Sequence, residues 1–160
     1  MSTTEVVKGT SIAGLWNRFS GLPGGKTLFS YMLGRAARYT GSIGAVVEHL
    51  EDGRSVVTMR DRAKVRNHLK SVHAIALMNL GELATGAAVM YQVDGRGRGI
   101  LKGIGMEYFK KSRGTITATC EAVVPKEPGK HDLEVQGVLT DQGGDVVAKV
   151  NATWRIDIFE

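Results

Sequence analysis

A single cysteine, Cys120, is all that the 160 residues contain. It excludes an internal disulfide and fits a reducing compartment, so the expected location is the cytoplasm. Nothing between Met1 and Lys8 pairs a basic stretch with an apolar core, and no secretory signal is expected there. The net charge of +5 and the isoelectric point of about 9.5 leave room for an acidic partner such as a phosphorylated cofactor. The basic residues form neither a clustered helix nor an aromatic–basic strand pattern, so no nucleic-acid partner is expected. Two glycine patterns also fall short. Gly25-Lys26-Thr27 imitates the end of a phosphate-binding loop, but Ser20 stands where the first glycine is required and no buried strand precedes it. The run Asp94-Gly95-Arg96-Gly97-Arg98-Gly99 matches no dinucleotide fingerprint and reads as a loop or helix stop. His68 and His73 have no clear third ligand, so neither a metal nor another cofactor is expected.

What is present is an ordinary globular composition, 42% hydrophobic and 23% charged, in a chain of the length of one domain with a real core. Its organising stretch is Arg66–Tyr91. This begins basic and polar and becomes a long run of apolar and small residues. From Val72 to Tyr91 the apolar positions fall on every face, the pattern of a helix enclosed by other elements rather than lying on a surface. The run is close to the length that spans a bilayer, about 20 residues. His73, Asn79 and Glu82 within it argue against a membrane, where ionisable groups are costly.

The other elements follow from periodicity. Residues 11–20 read as a short amphipathic helix, with Ile12, Leu15, Trp16 and Phe19 at its apolar positions. Gly21–Gly25 breaks it. Residues 26–39 form a second helix with Leu28, Phe29, Met32, Leu33 and Ala36 at helical spacing, ended by Gly41. Residues 43–50 are strand-like, Glu51-Asp52-Gly53 is a hairpin signal, and 54–61 pairs back with Val57 and Met59 on one face. After the central helix, about 72–92, four strands are expected. Residues 99–110 are mixed. In 115–123 Ile116, Ala118, Cys120 and Ala122 share a face. A turn at Pro125–Lys130 leads to 132–140, with Leu133, Val135, Gly137 and Leu139 on one face. In 146–158 Ala148, Val150, Ala152, Trp154, Ile156 and Ile158 alternate with polar residues. Short links make these last strands antiparallel.

The plan is therefore a single α+β domain over 1–160: a helical lead-in over 1–40, then a sheet of about six strands with one central helix over 41–160. One apolar helix can cover such a sheet if the sheet curls around it. A curved antiparallel sheet wrapped around a helix is the hotdog fold. Asn67, His73 and Glu82 stand at the spacing Asn-x5-His-x8-Asp/Glu. The chain thus resembles hotdog acyl-CoA thioesterases of the phenylacetyl-CoA thioesterase type. The strings Val65-Arg66-Asn67-His68, Val72-His73-Ala74-Ile75-Ala76-Leu77 and Gly81-Glu82-Leu83-Ala84 look closer still to a bacterial branch of that superfamily. Leu28-Phe29-Ser30 and Glu107-Tyr108-Phe109-Lys110-Lys111 are similar to that branch too. One departure stands out. Thioesterases of this type carry His-Gly-Gly at the helix start, and this chain has His73-Ala74-Ile75.

The resemblance implies hydrolysis of an acyl-CoA or acyl-carrier-protein thioester. It places an oxyanion donor on the Ala74 N–H, at the positive end of the helix dipole. Asn67 becomes a second donor or a substrate-positioning group, and Glu82 the general base or the nucleophile. Burial would strengthen such a carboxylate as a base. His73 shapes the junction of loop and helix or contacts substrate. Asn79, Lys110 and Lys111 are candidate substrate-binding residues, the lysines for coenzyme A phosphates. Helix geometry adds a constraint of its own. Ala74 and Glu82 lie roughly 12 Å apart along one helix, so one carbonyl carbon cannot be close to both. If both act on it, they come from two chains, and the expected assembly is a homodimer or a dimer of dimers.

Each residue also has a structural reading. Glu82 can be satisfied by Asn79, Thr85 or a strand residue, Asn67 can turn the loop before the helix, and the lysines can simply be solvated. A non-catalytic acyl-CoA-binding or regulatory module is accordingly the second functional reading, favoured by the absent glycines.

Overall fold

The structure, a computed structural model, describes residues 11–159, so the expectation about the Met1–Lys8 segment lies outside the described residues. Three N-terminal helical segments come first: α1 (Ile12–Phe19), α2 (Gly25–Ala36) and the single turn α3 (Arg38–Gly41). The hairpin β1 (Val46–Glu51) and β2 (Arg54–Met59) follows. A 3-10 turn (Ala63–Val65) then leads to the central helix α4 (Ala74–Val93). Four strands complete the chain: β3 (Gly97–Tyr108), β4 (Ile116–Glu121), β5 (Gly129–Thr140) and β6 (Val146–Ile158).

All pairings are antiparallel and the strand order is β1-β2-β4-β5-β6-β3, so β1 and β3 are the two edges. The sheet curls around α4, which touches every strand. This is the hotdog arrangement. The alternation in β6 sets the core face: Ala148, Val150, Ala152, Trp154, Ile156 and Ile158 are all buried. Helix α4 is apolar and long enough to cross a membrane, but half of its most apolar stretch is buried inside the protein's own sheet.

Helix and sheet meet closely because small residues face large ones. A Cβ at Gly81 would lie 2.9–3.1 Å from three atoms of Val150, and one at Gly86 would lie 3.0 Å from the Trp154 ring. Two buried polar groups complete the seam. Trp154 Nε1–H donates to Thr85 Oγ1 at 3.2 Å, and the Ser55 hydroxyl donates to the Ala84 carbonyl at 2.6 Å. Both satisfy groups that would be costly to bury alone.

The lead-in helices dock by two devices. Trp16 and Phe29 are buried edge-to-face, with centroids 5.2 Å apart. At the far end of α4, Asp94 accepts from the Ala13 N–H at 2.8 Å and the Ser11 hydroxyl at 2.5 Å, placing a carboxylate at the positive end of α1. On the β1 edge the Val47 N–H donates to Ser30 Oγ at 2.8 Å, so α2 covers an edge that would otherwise be open.

Several boundaries differ from those read in the sequence. The second helix stops at Ala36 because Ala37 leaves helical geometry (φ −111°, ψ 83°). Gly41 therefore ends the short α3 instead. It is packed on Gly34, whose carbonyl oxygen a Cβ would approach to 2.4 Å. Strand β1 begins three residues later than expected, after Gly44 turns the chain with φ +62°. Strand β2 ends at Met59 rather than 61, and β5 starts at Gly129, inside the expected turn. Residues 99–110 read as mixed because β3 is an edge strand with a bulge between Leu101 and Gly103.

Replacing Gly81 by valine should destabilise the fold by about 1–3 kcal/mol, the usual cost of forcing methyl groups into a packed core. Urea denaturation checks this. A midpoint equal to that of the unsubstituted protein would mean that the helix–sheet seam is looser than its spacing indicates.

Candidate functional site at the start of the central helix

The loop that delivers the chain into α4 is held from three sides. The His73 N–H donates to the Val65 carbonyl at 2.8 Å, and the Val72 N–H donates to the Ser112 carbonyl at 2.8 Å. Asp61 ties both flanks together. It accepts from Arg66 Nε at 2.7 Å and from the Gly114 N–H at 3.0 Å. The Arg66 guanidinium, helped by the Gly114 N–H, holds the Asp61 carboxyl below the usual carboxylate range. Asn67 closes the loop itself. Its Oδ1 accepts from the Leu69 N–H at 2.9 Å, the Ser71 N–H at 3.3 Å and the Ser71 hydroxyl at 3.2 Å. Lys70, with φ +56°, makes the tight turn this requires.

His73 is the N-cap of α4, in extended geometry (φ −66°, ψ 139°), and its Nδ1 accepts from the Ile75 N–H at 3.0 Å. It thus satisfies one of the N–H groups that every helix start leaves over. The Ala74 and Ala76 N–H groups meet no acceptor among the described residues and remain available. The Tyr108 hydroxyl donates to the Ala74 carbonyl at 2.8 Å and pins the first turn to the end of β3. Burial pushes the Tyr108 phenol upward, so it stays a donor.

A cleft of about 390 Å³ opens beside this helix start, lined by His73, Ile75, Ala76 and Asn79 together with Tyr39, Ser42 and Lys64. Asn79 is buried, and its Nδ2 donates to the Tyr39 carbonyl at 3.1 Å. Glu82 lies one turn further on, half-buried rather than enclosed as the all-round apolar pattern implied. The face of α4 that carries Ile75, Met78 and Glu82 is only partly covered within one chain. Glu82 makes no side-chain hydrogen bond or ion pair among the described residues. Its structural reading, satisfaction by Asn79, Thr85 or a strand residue, therefore has no contact to support it. Thr85 Oγ1 donates instead to the Glu82 carbonyl, at 3.1 Å.

His73 and Ala74 form the helix start, with Asn79 further along the same helix, while Asn67 is engaged in its own loop, with Leu69 and Ser71. Glu82 stands apart on the same helix, and Lys110 and Lys111 follow β3. Lys110 is clasped by Asp141 and Asp145, each at 2.7 Å, and this pairing raises its ammonium above the usual range. Lys111 is exposed. Cys120 is buried against the core, where desolvation pushes the thiol up to about 12 and keeps it unreactive. Sequence reasoning missed Tyr39, Ser42 and Lys64 as lining residues. They come from the lead-in turn and the loop before α4, and no spacing links them to the helix.

The family model for a domain of unknown function, DUF4442, matches residues 25–156, so the chain belongs to that family. No curated protein is significantly similar in sequence. The chain is similar to a protein solved in a genomics effort, with 28% identity, a TM-score of 0.80, and coverage of 92% of this chain and 98% of that one. It is similar to a Pseudomonas aeruginosa protein of unknown function described as a probable thioesterase. Identity there is 25%, the TM-score 0.73, and coverage 86% of this chain and 97% of that one. A thioesterase enzyme from Staphylococcus aureus shares the fold, with a TM-score of 0.65, 19% identity, and coverage of 75% of this chain and 98% of that one.

The Asp61 anchor predicts a pH dependence. Its carboxyl is lowered in the folded chain, so the stability it contributes is present above the unfolded value, about 3.9, and is lost as pH falls through the folded value. Asp61→Asn should show a lower urea midpoint than the unsubstituted protein at pH 7. That gap should close below about pH 4. A gap that persists unchanged to pH 2 would show that the anchor does not depend on the charge.

Proposed function

We propose that this member of the DUF4442 family hydrolyses the thioester of an acyl-CoA or an acyl-carrier protein. The observation that carries the reading is the free Ala74 N–H at the start of a long helix, on a fold that this chain shares with thioesterases. A thioester carbonyl placed there meets a fixed donor at the positive end of the helix dipole, where negative charge develops as the carbonyl is attacked. The Asn67 amide, whose oxygen is engaged by its own loop, leaves its NH₂ group to serve as a second donor or to position substrate.

Glu82 supplies the base or the nucleophile. As base it takes a proton from water, the oxygen attacks the carbonyl carbon, the C–S bond breaks, and the thiolate leaves and is protonated. As nucleophile its carboxylate oxygen attacks, the thiolate leaves, and water cleaves the resulting anhydride. Glu82 and Ala74 of one chain are too far apart to share a carbonyl, so the site is completed by a second copy. The twelve-residue edge strand β3 has a free side, and Ile100 on it is 67% exposed. Pairing of β3 with the β3 of a partner would extend the sheet across a two-fold axis and build two equivalent sites per homodimer. A homotetramer would be a dimer of such dimers. The reducing cytoplasm is the compartment proposed for it.

The second reading, a binding module that holds an acyl-CoA without cleaving it, is favoured by one observation. Ile75, where thioesterases of the resembled type carry glycine, is 48% exposed at the helix start, and a side chain there would narrow access to an oxyanion position at Ala74.

Thiol release from short, medium, long and aromatic acyl-CoAs tests the proposal. Glu82→Gln should lower kcat by about 10²–10⁴ with folding retained. Near-normal turnover in that variant would reject the role of Glu82. No turnover from any acyl-CoA in the unsubstituted protein, with acyl-CoA still raising the Tm, would favour the binding module.

The two-chain site has its own test. Proline is tolerated at a first helical position, and His73 already has the extended geometry that a following proline demands. Ala74→Pro should therefore delete the N–H, keep the fold and lower kcat by about 10²–10³. Mixing Ala74→Pro with Glu82→Gln chains should restore activity, because one site of each mixed dimer then has both groups intact. No recovery after proven subunit exchange would count against the shared site.

A further inference from the structure

A second cleft, of about 510 Å³, lies between α2, α3 and the start of β1. Its apolar floor includes Leu33, Val47 and Leu83. Arg35, Arg38 and Lys64 line it, and no carboxylate among the described residues does. None of these three cations forms an ion pair among the described residues. The cleft at the helix start shares Ser42 and Lys64 with it, so the two clefts adjoin at these residues, and the pair is called the channel. Along α4 the channel follows a single stripe, Ala76, Asn79 and Leu83, at the spacing of one helix face.

Asn79 marks the junction. Its residue exposure is 5%, and its Nδ2 donates to the Tyr39 carbonyl. A carbonyl only accepts, so the amide nitrogen must face Tyr39 and Oδ1 must face away from it. That Oδ1 is buried and has no donor among the described residues. A buried acceptor without a partner is costly and calls for an explanation. Beside the helix start, where His73 and Ile75 line it, the channel thus combines a buried acceptor and a cationic rim, neither of them partnered among the described residues.

We infer that this channel binds the phosphopantetheine arm of the thioester substrate, with Asn79 Oδ1 accepting an amide N–H of the arm and Arg35, Arg38 and Lys64 holding its phosphate. The inference rests on the thioester reading above and gives the N-terminal helices a role in recognition. Guanidinium groups suit a phosphate because they present paired donors in a plane. Coenzyme A and the prosthetic group of an acyl-carrier protein share this chemistry.

The test is titration calorimetry on the full-length protein with 4′-phosphopantetheine and with pantetheine, which differ by the phosphate alone. The unsubstituted protein should bind the phosphorylated ligand at least about ten-fold more tightly, with a preference that weakens as salt rises. Arg35→Gln/Arg38→Gln should abolish the preference and leave pantetheine binding unchanged. Asn79→Leu should weaken both ligands together. Equal affinities in the unsubstituted protein, or a preference that survives the double substitution, would overturn the inference. Titration with coenzyme A and with holo-acyl-carrier protein then tells the two sources apart, since the natural one should bind more tightly and lose affinity in the double variant.

Hydrolysis is scored separately. If acyl-CoA is cleaved and the double substitution leaves KM unchanged, the channel assignment fails while the thioesterase reading stands. If the phosphate preference is found but nothing is cleaved, the assignment stands and the hydrolytic reading fails.

Discussion

The close approach of α4 to β6 is the constraint on which the rest of the structure depends. A helix that is apolar on nearly every face can exist in water only inside other protein, and one curved sheet must supply that cover. The sheet can close on the helix because Gly81 and Gly86 let Val150 and Trp154 reach the backbone cylinder. With larger residues there, the sheet would stand off and both sets of apolar side chains would lose contact. The hydrogen bonds from Trp154 to Thr85 and from Ser55 to the Ala84 carbonyl fix the helix along its axis and about it. The N-terminal end of the helix therefore has a defined position before any of its own residues is considered.

That end is then built by polar groups that consume one another. Asn67 spends its oxygen on its own loop, His73 spends Nδ1 on the Ile75 N–H, and Asp61 joins the loop to the segment before β4. The Ala74 N–H is left over because the residue four positions earlier, Lys70, turns the loop instead of continuing a helix. The site's donor is thus a by-product of how the chain enters the helix. The loop residues act on it by positioning, whatever else they contact.

Much of this was legible in the sequence, and the reasons differ by element. Strand β6 could be read because one face is wholly buried, so its alternation is complete. Helix α4 could be read because apolar residues on all faces leave few alternatives. Strand β3 was obscure because it lies at an edge, carries a bulge and buries little. The stop of α2 at Ala36 was obscure because it follows from Gly34 packing on Gly41, a tertiary contact. The candidates Asn67, His73 and Glu82 stand out in the sequence through their spacing. The capture of Lys110 by Asp141 and Asp145 was invisible because those acids sit in the turn between β5 and β6, about thirty residues away in sequence. Arg35, Arg38 and Lys64 were missed for the same reason, since only the packing of the lead-in helices places them along one cleft.

The lead-in helices also divide the uncovered side of α4. Beside them the stripe Ala76, Asn79 and Leu83 lines the two adjoining clefts. The adjoining stripe Ile75, Met78 and Glu82 they leave open. A half-buried carboxylate without a partner among the described residues and an exposed isoleucine on one strip are tolerable in a monomer, yet they gain from a covering surface. The free β3 edge is the element able to bring one, because pairing there satisfies backbone groups as well as side chains. On the proposed reading the two stripes divide the labour. One receives the substrate arm within a chain, and the other offers Glu82 to the carbonyl held by its neighbour.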